Sequence, residues 1–178
     1  MEFLRGKTAI VTGAAGGIGE AICKKLADLG MNLVITGRKA QALEELAAQL
    51  PTKVCCCVGD LQELAFVDRL LADARETFGG VDVIINNAGL SHNCTVEEMT
   101  PELFDSIMQV NVRAPYFLCQ KAVEDLKNPA AQRLSTSAPW WLIRAIPARV
   151  CTPPASTPCW DFPSPLPTSI TRTASVSM

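Results

Sequence analysis

Glycine runs out halfway along this 178-residue chain: all 11 glycines lie at or before Gly89. Glutamate ends at Glu124 and lysine at Lys127. Nine of the 12 prolines and all three tryptophans fall at or after Pro129. Residues 1–128 carry 12 Lys/Arg against 17 Asp/Glu, whereas residues 129–178 carry four Arg against Asp161 alone. A parallel sheet uses glycine at its turns and apolar runs in its strands. The second segment is therefore excluded as a continuation of the first, and its prolines exclude long helices and inner strands. Only residues 140–146 (Trp-Trp-Leu-Ile-Arg-Ala-Ile) are apolar enough to pack. The rest of 129–178 reads as an irregular Pro/Ser/Thr-rich tail, translated from a shifted frame or an unrelated exon, the alternative being a tail selected for a function of its own.

Other absences narrow the function. No apolar run reaches the roughly 18–20 residues of a membrane span. The start holds no signal-peptide core, so a cytoplasmic protein with no membrane partner is expected. A net charge of −2 argues against a nucleic-acid surface. The single histidine, His92, has no neighbours at ligand spacing and no CxxC pair occurs, so no metal site is expected. Cysteine is plentiful, but Cys55, Cys56 and Cys57 are consecutive inside an apolar run. They read as small thiols on a buried strand, not as a disulfide framework.

What is present in residues 1–128 alternates strand and helix. Residues 7–12, 32–36, 54–58 and 81–86 are short apolar runs of the buried parallel-strand type. Between them lie helical periods. Residues 18–29 place Ile18, Ile22, Leu26 and Leu29 on one face, and Gly30 ends the helix. Residues 39–50 carry Leu43, Leu46 and Leu50 on one stripe. Residues 61–78 carry Leu64, Val67, Leu71 and Ala74. Thr100 and Pro101 open a fourth helix, a hydroxyl cap before proline. It is expected to run to about Lys127, kinked at Pro115, with Leu103, Phe104, Ile107, Val110, Ala114, Phe117, Leu118, Ala122 and Val123 buried. The predicted fold is α/β: a doubly wound parallel sheet of the Rossmann type, incomplete, over residues 1–128, followed by the tail.

Gly13-Ala14-Ala15-Gly16-Gly17-Ile18-Gly19 sits between the first strand and first helix, where such a motif carries meaning. Gly13 allows a tight turn, Gly17 lets a pyrophosphate approach, and Gly19 lets helix and strand pack closely. The helix N-terminus then faces the phosphates. The second strand ends in Thr36-Gly37-Arg38, without the acid that suits NAD. Arg38 fits a 2′-phosphate, or else it is a solvated cation at a helix start. Asp60 follows the third strand, placed to accept from an adenine amino group or to cap the next helix. Asn86-Asn87-Ala88-Gly89 ends the fourth strand, at the edge where open parallel sheets bind ligands.

With Asn111 in Val110-Asn111-Val112, these motifs resemble the short-chain dehydrogenase/reductase family over residues 7–127. The resemblance implies an oxidoreductase moving hydride between a nicotinamide and a small carbonyl or alcohol substrate. It implies that Gly13, Gly17, Ile18 and Gly19 contact the cofactor phosphates. Asp60 and Leu61 flank the adenine, and Asn87, Ala88 and Gly89 line the nicotinamide-side ribose. Asn111 resembles the helix asparagine that holds a proton-relay water, the one catalytic position expected. With Arg38, the cofactor expected is NADP, with NAD as the alternative.

The departure from the family lies in its Tyr-x-x-x-Lys and strand-five serine. The chain has one tyrosine, Tyr116, followed four residues later by Gln120, and no lysine after Lys127. Ser135 and Ser137 stand near the expected serine, but Gln132-Arg133-Leu134 is a poor inner strand. A truncated member without turnover of its own is expected, the alternative being a non-enzymatic dinucleotide-binding or interaction module. The family's strand order would leave the fourth strand as an exposed edge, open to homo-oligomers or aggregation.

Overall fold

The structure, a computed structural model, describes residues 2–127 and 133–136. Five parallel strands form one sheet: β1 (Thr8–Thr12), β2 (Asn32–Gly37), β3 (Val54–Val58), β4 (Val83–Asn86) and β5 (Arg133–Thr136), in the order β3-β2-β1-β4-β5. The step from β3 out to β4 on the far side of β1 creates a crevice at the strands' carboxyl ends, where such sheets place ligands. β1 is central and all five of its residues are buried. Its register runs Thr8 opposite Asn32 through Thr12 opposite Thr36.

Helices cover both faces. α1 (Gly17–Asp28) and α2 (Ala40–Gln49) bury Cys23, Leu43 and Leu46 against Val11, Leu33 and Ile35. On the other face, α3 (Leu64–Phe78) packs Val67, Leu70 and Leu71 against Ile10, Val34 and Ile84. Neighbouring strand residues serve opposite cores, which is why these strands read as unbroken apolar runs.

Several expectations need correction. Residues 133–136 were not expected to form a strand, yet β5 pairs with β4 from Val83 opposite Arg133 to Asn86 opposite Thr136. The unpaired groups of β4 outweigh the poor strand propensity of Arg-Leu-Ser-Thr. The open edge on that side, among the described residues, is thus β5 and not β4, and the sheet continues past the expected boundary at 128. The buried face of α1 is Gly19, Cys23 and Ala27, while Ile18 is 74% exposed. Small residues let the helix sit close to the sheet, so its larger side chains fall to the flanks. The cysteine strand is not buried throughout: Cys57 is buried, Cys55 half-buried and Cys56 exposed. β3 ends the sheet, so only part of its surface is covered.

The fourth helix is broken. α4 (Pro101–Met108) passes into a π-helical turn at Gln109–Arg113, then α5 (Ala114–Lys121) and the short α6 (Val123–Leu126). Pro115 has no N–H to give the carbonyl of Asn111, and the wider turn sits where that bond would be. Burial begins only after the turn. Ala114, Leu118 and Ala122 are buried as expected, with Pro115, Cys119 and Leu126. Leu103, Ile107, Val110, Phe117 and Val123 are only half-buried, and Phe104 is exposed.

Candidate functional site

The glycine turn is held from both sides before it meets any ligand. Thr12 Oγ1 accepts the N–H groups of Asn87 and Ala88, each at 3.0 Å. Asn87 Nδ2 donates back to the carbonyls of Thr12 (3.0 Å) and Gly13 (3.1 Å). The N–H of Ala14 bonds to the Thr36 carbonyl at 3.2 Å. The ends of β1, β2 and β4 thus form one hydrogen-bonded rim.

Gly13 has φ +64°, and a Cβ there would lie 2.9 Å from the Cα of Ala88. A Cβ on Gly19 would run into the Gly13 carbonyl and lie 2.8 Å from the Ala14 Cα. A Cβ on Gly17 meets nothing within 4 Å. Two glycines are therefore required by the turn itself, and the third leaves space in front of the helix. Gly16 N–H bonds to Gly13 and Glu20 N–H to Gly16. Among the described residues, the N–H groups of Gly17, Ile18 and Gly19 take no backbone acceptor. They point the positive end of α1 outward.

A cavity of about 580 Å³ opens along this rim. The structure brings Gly13, Gly17, Ile18, Gly19, Arg38, Asp60, Leu61, Asn87, Ala88 and Gly89 together in its wall. That wall includes every cofactor position read from the sequence. Lys39 joins Arg38 there, both exposed and without an ion pair among the described residues. Asp60 is the only acid among the described residues of the wall. Its Oδ1 accepts the Gln62 N–H at 3.0 Å and its carbonyl accepts the Glu63 N–H at 3.1 Å. Asp60 thus shapes a turn before α3 and does not cap the helix. Its second carboxylate oxygen takes no described partner.

Asn111 stands behind the wall. Its Oδ1 accepts the Leu90 N–H at 2.7 Å and its Nδ2 donates to the Leu90 carbonyl at 2.8 Å. Leu90 itself lines the cavity. The asparagine therefore clamps the chain leaving β4, and the π turn supplies the position. Tyr116 does not line the cavity; its ring stacks edge-on to Phe117, centroids 5.4 Å apart. Lys121 is paired with Asp68 at 2.5 Å. Ser135 is placed on β5 opposite Ile85, near the same edge, while Ser137 lies outside the described residues.

Sequence reasoning read Thr12 only as the residue that leads into the glycine motif, and passed over Lys39 and Leu90. Lys39 was visible as the neighbour of Arg38. The clamps at Thr12 and Leu90 join residues 75 and 21 positions apart, and no local pattern announces them.

Comparison with known proteins agrees with this geometry. The family model for short chain dehydrogenases matches residues 7–134. The chain belongs to the short-chain dehydrogenase family. An uncharacterized oxidoreductase of Staphylococcus epidermidis is 35% identical over 120 residues, 67% of this chain and 52% of that protein. D-beta-hydroxybutyrate dehydrogenase of Cupriavidus necator is 33% identical over 129 residues, covering 71% and 50%. The crystal structure of 3-ketoacyl-(acyl-carrier-protein) reductase from Brucella melitensis, complexed with NADH, superposes with a TM-score of 0.71 at 33% identity. That match covers 75% of this chain and 57% of the reductase. The chain spans about half the length of the curated relatives it matches. Among the described residues, no helix is long and apolar enough to cross a membrane.

Proposed function

We propose that this chain binds a nicotinamide dinucleotide along the β1–β2–β4 rim, favouring NADP over NAD, and has no turnover of its own. The observation that carries the reading is the cavity wall, where free N–H groups at the start of α1 face the space left by Gly17. That space fits phosphates: a methyl would fill it, and three unspent donors and a helix N-terminus border it. Arg38 and Lys39 at the far end give a 2′-phosphate two cations, and the free oxygen of Asp60 offers an acceptor to an adenine amino group. Asn87, Ala88 and Gly89 back the ribose nearest the nicotinamide.

When bound, the nicotinamide supplies or accepts the hydride; the carbonyl or alcohol partner belongs to the family's chemistry. Asn111 keeps one N–H and one lone pair beyond its Leu90 bonds, enough to hold a water. Among the described residues of the wall there is no tyrosine to pass the substrate proton: Tyr116 stands outside it and Gln120 stands where a lysine is needed. General acid catalysis is typically worth about 10²–10⁴ in rate, so dinucleotide binding without turnover is expected. A cytoplasmic location belongs to the same reading. The NADH in the Brucella reductase structure favours a second reading, in which NAD is preferred and Arg38 is only a solvated cation.

Calorimetry with both cofactors separates these. NADPH is expected to bind more tightly, and Arg38→Ala to weaken it about tenfold, the low end for a charge-assisted hydrogen bond, while NADH barely changes. Equal affinities remove Arg38 from the role. Turnover of a ketone panel with NADPH, lost on Tyr116→Phe, overturns the inactive reading.

A further inference from the structure

β3 and α3 bring two thiols, a carboxylate and a hydroxyl together, and none of the four residues lines the cavity. Cys55 and Cys57 stand two positions apart on β3, so both point to the α3 face of the sheet. Their sulfurs lie 3.8 Å apart. Asp73 and Thr77 stand four positions apart on α3, on one side of that helix. The Cys57 thiol donates to Asp73 Oδ2 at 3.4 Å, and the Thr77 hydroxyl donates to the Cys55 sulfur at 3.8 Å. Cys57 is buried, Cys55 and Asp73 are half-buried and Thr77 is exposed, so the pair is reached from the Thr77 side. Cys56 points the other way and donates to the Leu43 carbonyl of α2 at 3.8 Å.

We propose that Cys55 and Cys57 form a dithiol site that captures a trivalent arsenical, its arsenic bridging both sulfurs. Spacing is the first argument. At about 3.2–3.4 Å of rise per strand residue, the two Cα atoms stand near the upper end of the roughly 4.4–6.8 Å that a disulfide spans. A direct sulfur–sulfur bond therefore needs the strand to bend. One atom held at about 2.3 Å from each sulfur, as zinc is by thiolates, closes the 3.8 Å gap at a near-tetrahedral angle and leaves β3 straight. Ligand count is the second argument. No group of three or more His, Cys, Asp or Glu is placed to hold a metal ion among the described residues. A tetrahedral cation takes four ligands, whereas an organic arsenical takes two thiols and keeps its own carbon as the third. Proton release is the third argument. Burial, and then Cys55 and Asp73, push the Cys57 thiol up. A metal ion binds thiolate and has to expel that proton. The arsenical condenses with thiols instead: its two hydroxyls leave with the two S–H hydrogens as two waters. Two arsenic–sulfur bonds form, the arsenic stays trivalent, and nothing is oxidised or reduced.

Phenylarsine oxide, which hydrates to the dihydroxy form, is the probe, with excess glutathione present to strip it from single thiols. The full-length chain carries Cys151→Ser and Cys159→Ser throughout, so that the tail offers no second pair. Intact mass spectrometry of the folded chain is expected to show one phenylarsenic group, released by a small dithiol. Cys55→Ser and Cys57→Ser each lose it, and Cys56→Ser keeps it. In denaturant, Cys55→Ser is expected to capture the probe again, through the chain neighbours Cys56 and Cys57. Loss under native conditions therefore reports the folded geometry, and a variant that has unfolded shows itself by capture together with lost far-UV dichroism. Cys55→Ala or Cys57→Ala replaces a serine variant that unfolds. No adduct on the folded chain overturns the proposal. So does an adduct that survives in a Cys55 or Cys57 variant with native dichroism, because other thiols then hold the arsenic. An adduct lost in a natively folded Cys56→Ser overturns it as well, since the bridge then runs through the exposed thiol.

Discussion

Leu118 and Phe104 belong to one run of helical chain, on either side of the π turn, and live in opposite surroundings. Leu118 is fully buried between α3 and the sheet; Phe104 is 52% exposed on α4. The difference lies in what each segment has to lean on. α5 packs on two layers, α3 and the sheet, whereas no residue of α4 is fully buried. A helix gains little from propensity alone and most from the apolar face it packs. The packed region, α5 included, therefore carries the fold, and α4 joins it at the π turn that the Asn111 clamp holds.

The most severe test of that contrast is a pair of truncations. Leu118→Ala is expected to cost about 2–5 kcal/mol, the range for emptying a packed leucine site. Phe104→Ala is expected to cost about 1 kcal/mol, part of the roughly 1.5–3 kcal/mol of a full burial. Urea titration of both variants measures this. Equal costs would mean that α4 is packed as firmly as α5.

Within the first region, two glycines sharpen the comparison. Gly19→Ala pushes a methyl into the backbone of Gly13 and Ala14, and overpacking of this kind costs about 1–3 kcal/mol. Gly17→Ala meets open space and changes stability little, gaining some helix propensity. It is expected to weaken dinucleotide binding all the same, because the methyl stands where phosphates approach. Thermal melts and calorimetry on the two variants give the double dissociation; intact binding in Gly17→Ala moves the phosphates elsewhere.

The two regions also differ in how far they were legible. The first four strands and first three helices follow from local pattern, because a strand buried on both faces must be apolar throughout. β5 escaped because Arg-Leu-Ser-Thr has no such pattern; its strand state comes from the edge of β4. The break at residues 109–113 escaped because Pro115 announces a disturbance but not its form. At the site, the glycines were readable because a tight turn and a close helix approach are local demands. Thr12 and the Leu90 clamp were not, since their partners are distant in sequence. The exposed Cys56 shows the same limit: the apolar run named a strand but not its place at the sheet's edge.

A smaller effect separates the regions by pH. Burial pushes the Cys23 thiol up to about 12, helped by Glu20, and Cys119 up to about 11, against a lowering hydrogen bond from Asn86. Both values are raised from 9.0. The unfolded thiols release their protons first as pH rises, so the stability these groups contribute is whole below pH 9. It is lost as pH rises from there through the folded values, by up to about 1.4 kcal/mol per pH unit for each thiol. Denaturation midpoints between pH 8 and 11 are expected to fall. Cys23→Ala is expected to flatten the slope; a slope unchanged in that variant assigns it to other groups.

The weakest effect belongs to α4, and it has the opposite sign. The Glu98 carboxylate accepts the Thr95 N–H at 2.9 Å, and this bond holds its pKa below the usual value. Glu102 is lowered in the same way, first by its own backbone N–H and then by the Thr100 hydroxyl. Thr100 in turn accepts the Leu103 N–H at 3.3 Å, so these groups together fasten the start of α4. A lowered carboxyl stabilises the folded state above its ordinary value of 4.5. That contribution disappears as pH falls through the depressed value. Both carboxylates are fully exposed, so the loss is local fraying and not unfolding. Amide exchange is expected to show Thr95, Glu102 and Leu103 losing protection as pH drops below 4.5, while the amides of β1 keep theirs. Glu98→Gln with Glu102→Gln retains an acceptor without the charge and is expected to remove the pH dependence. If the β1 amides open over the same range, α4 is welded to the sheet and the division between the two regions falls.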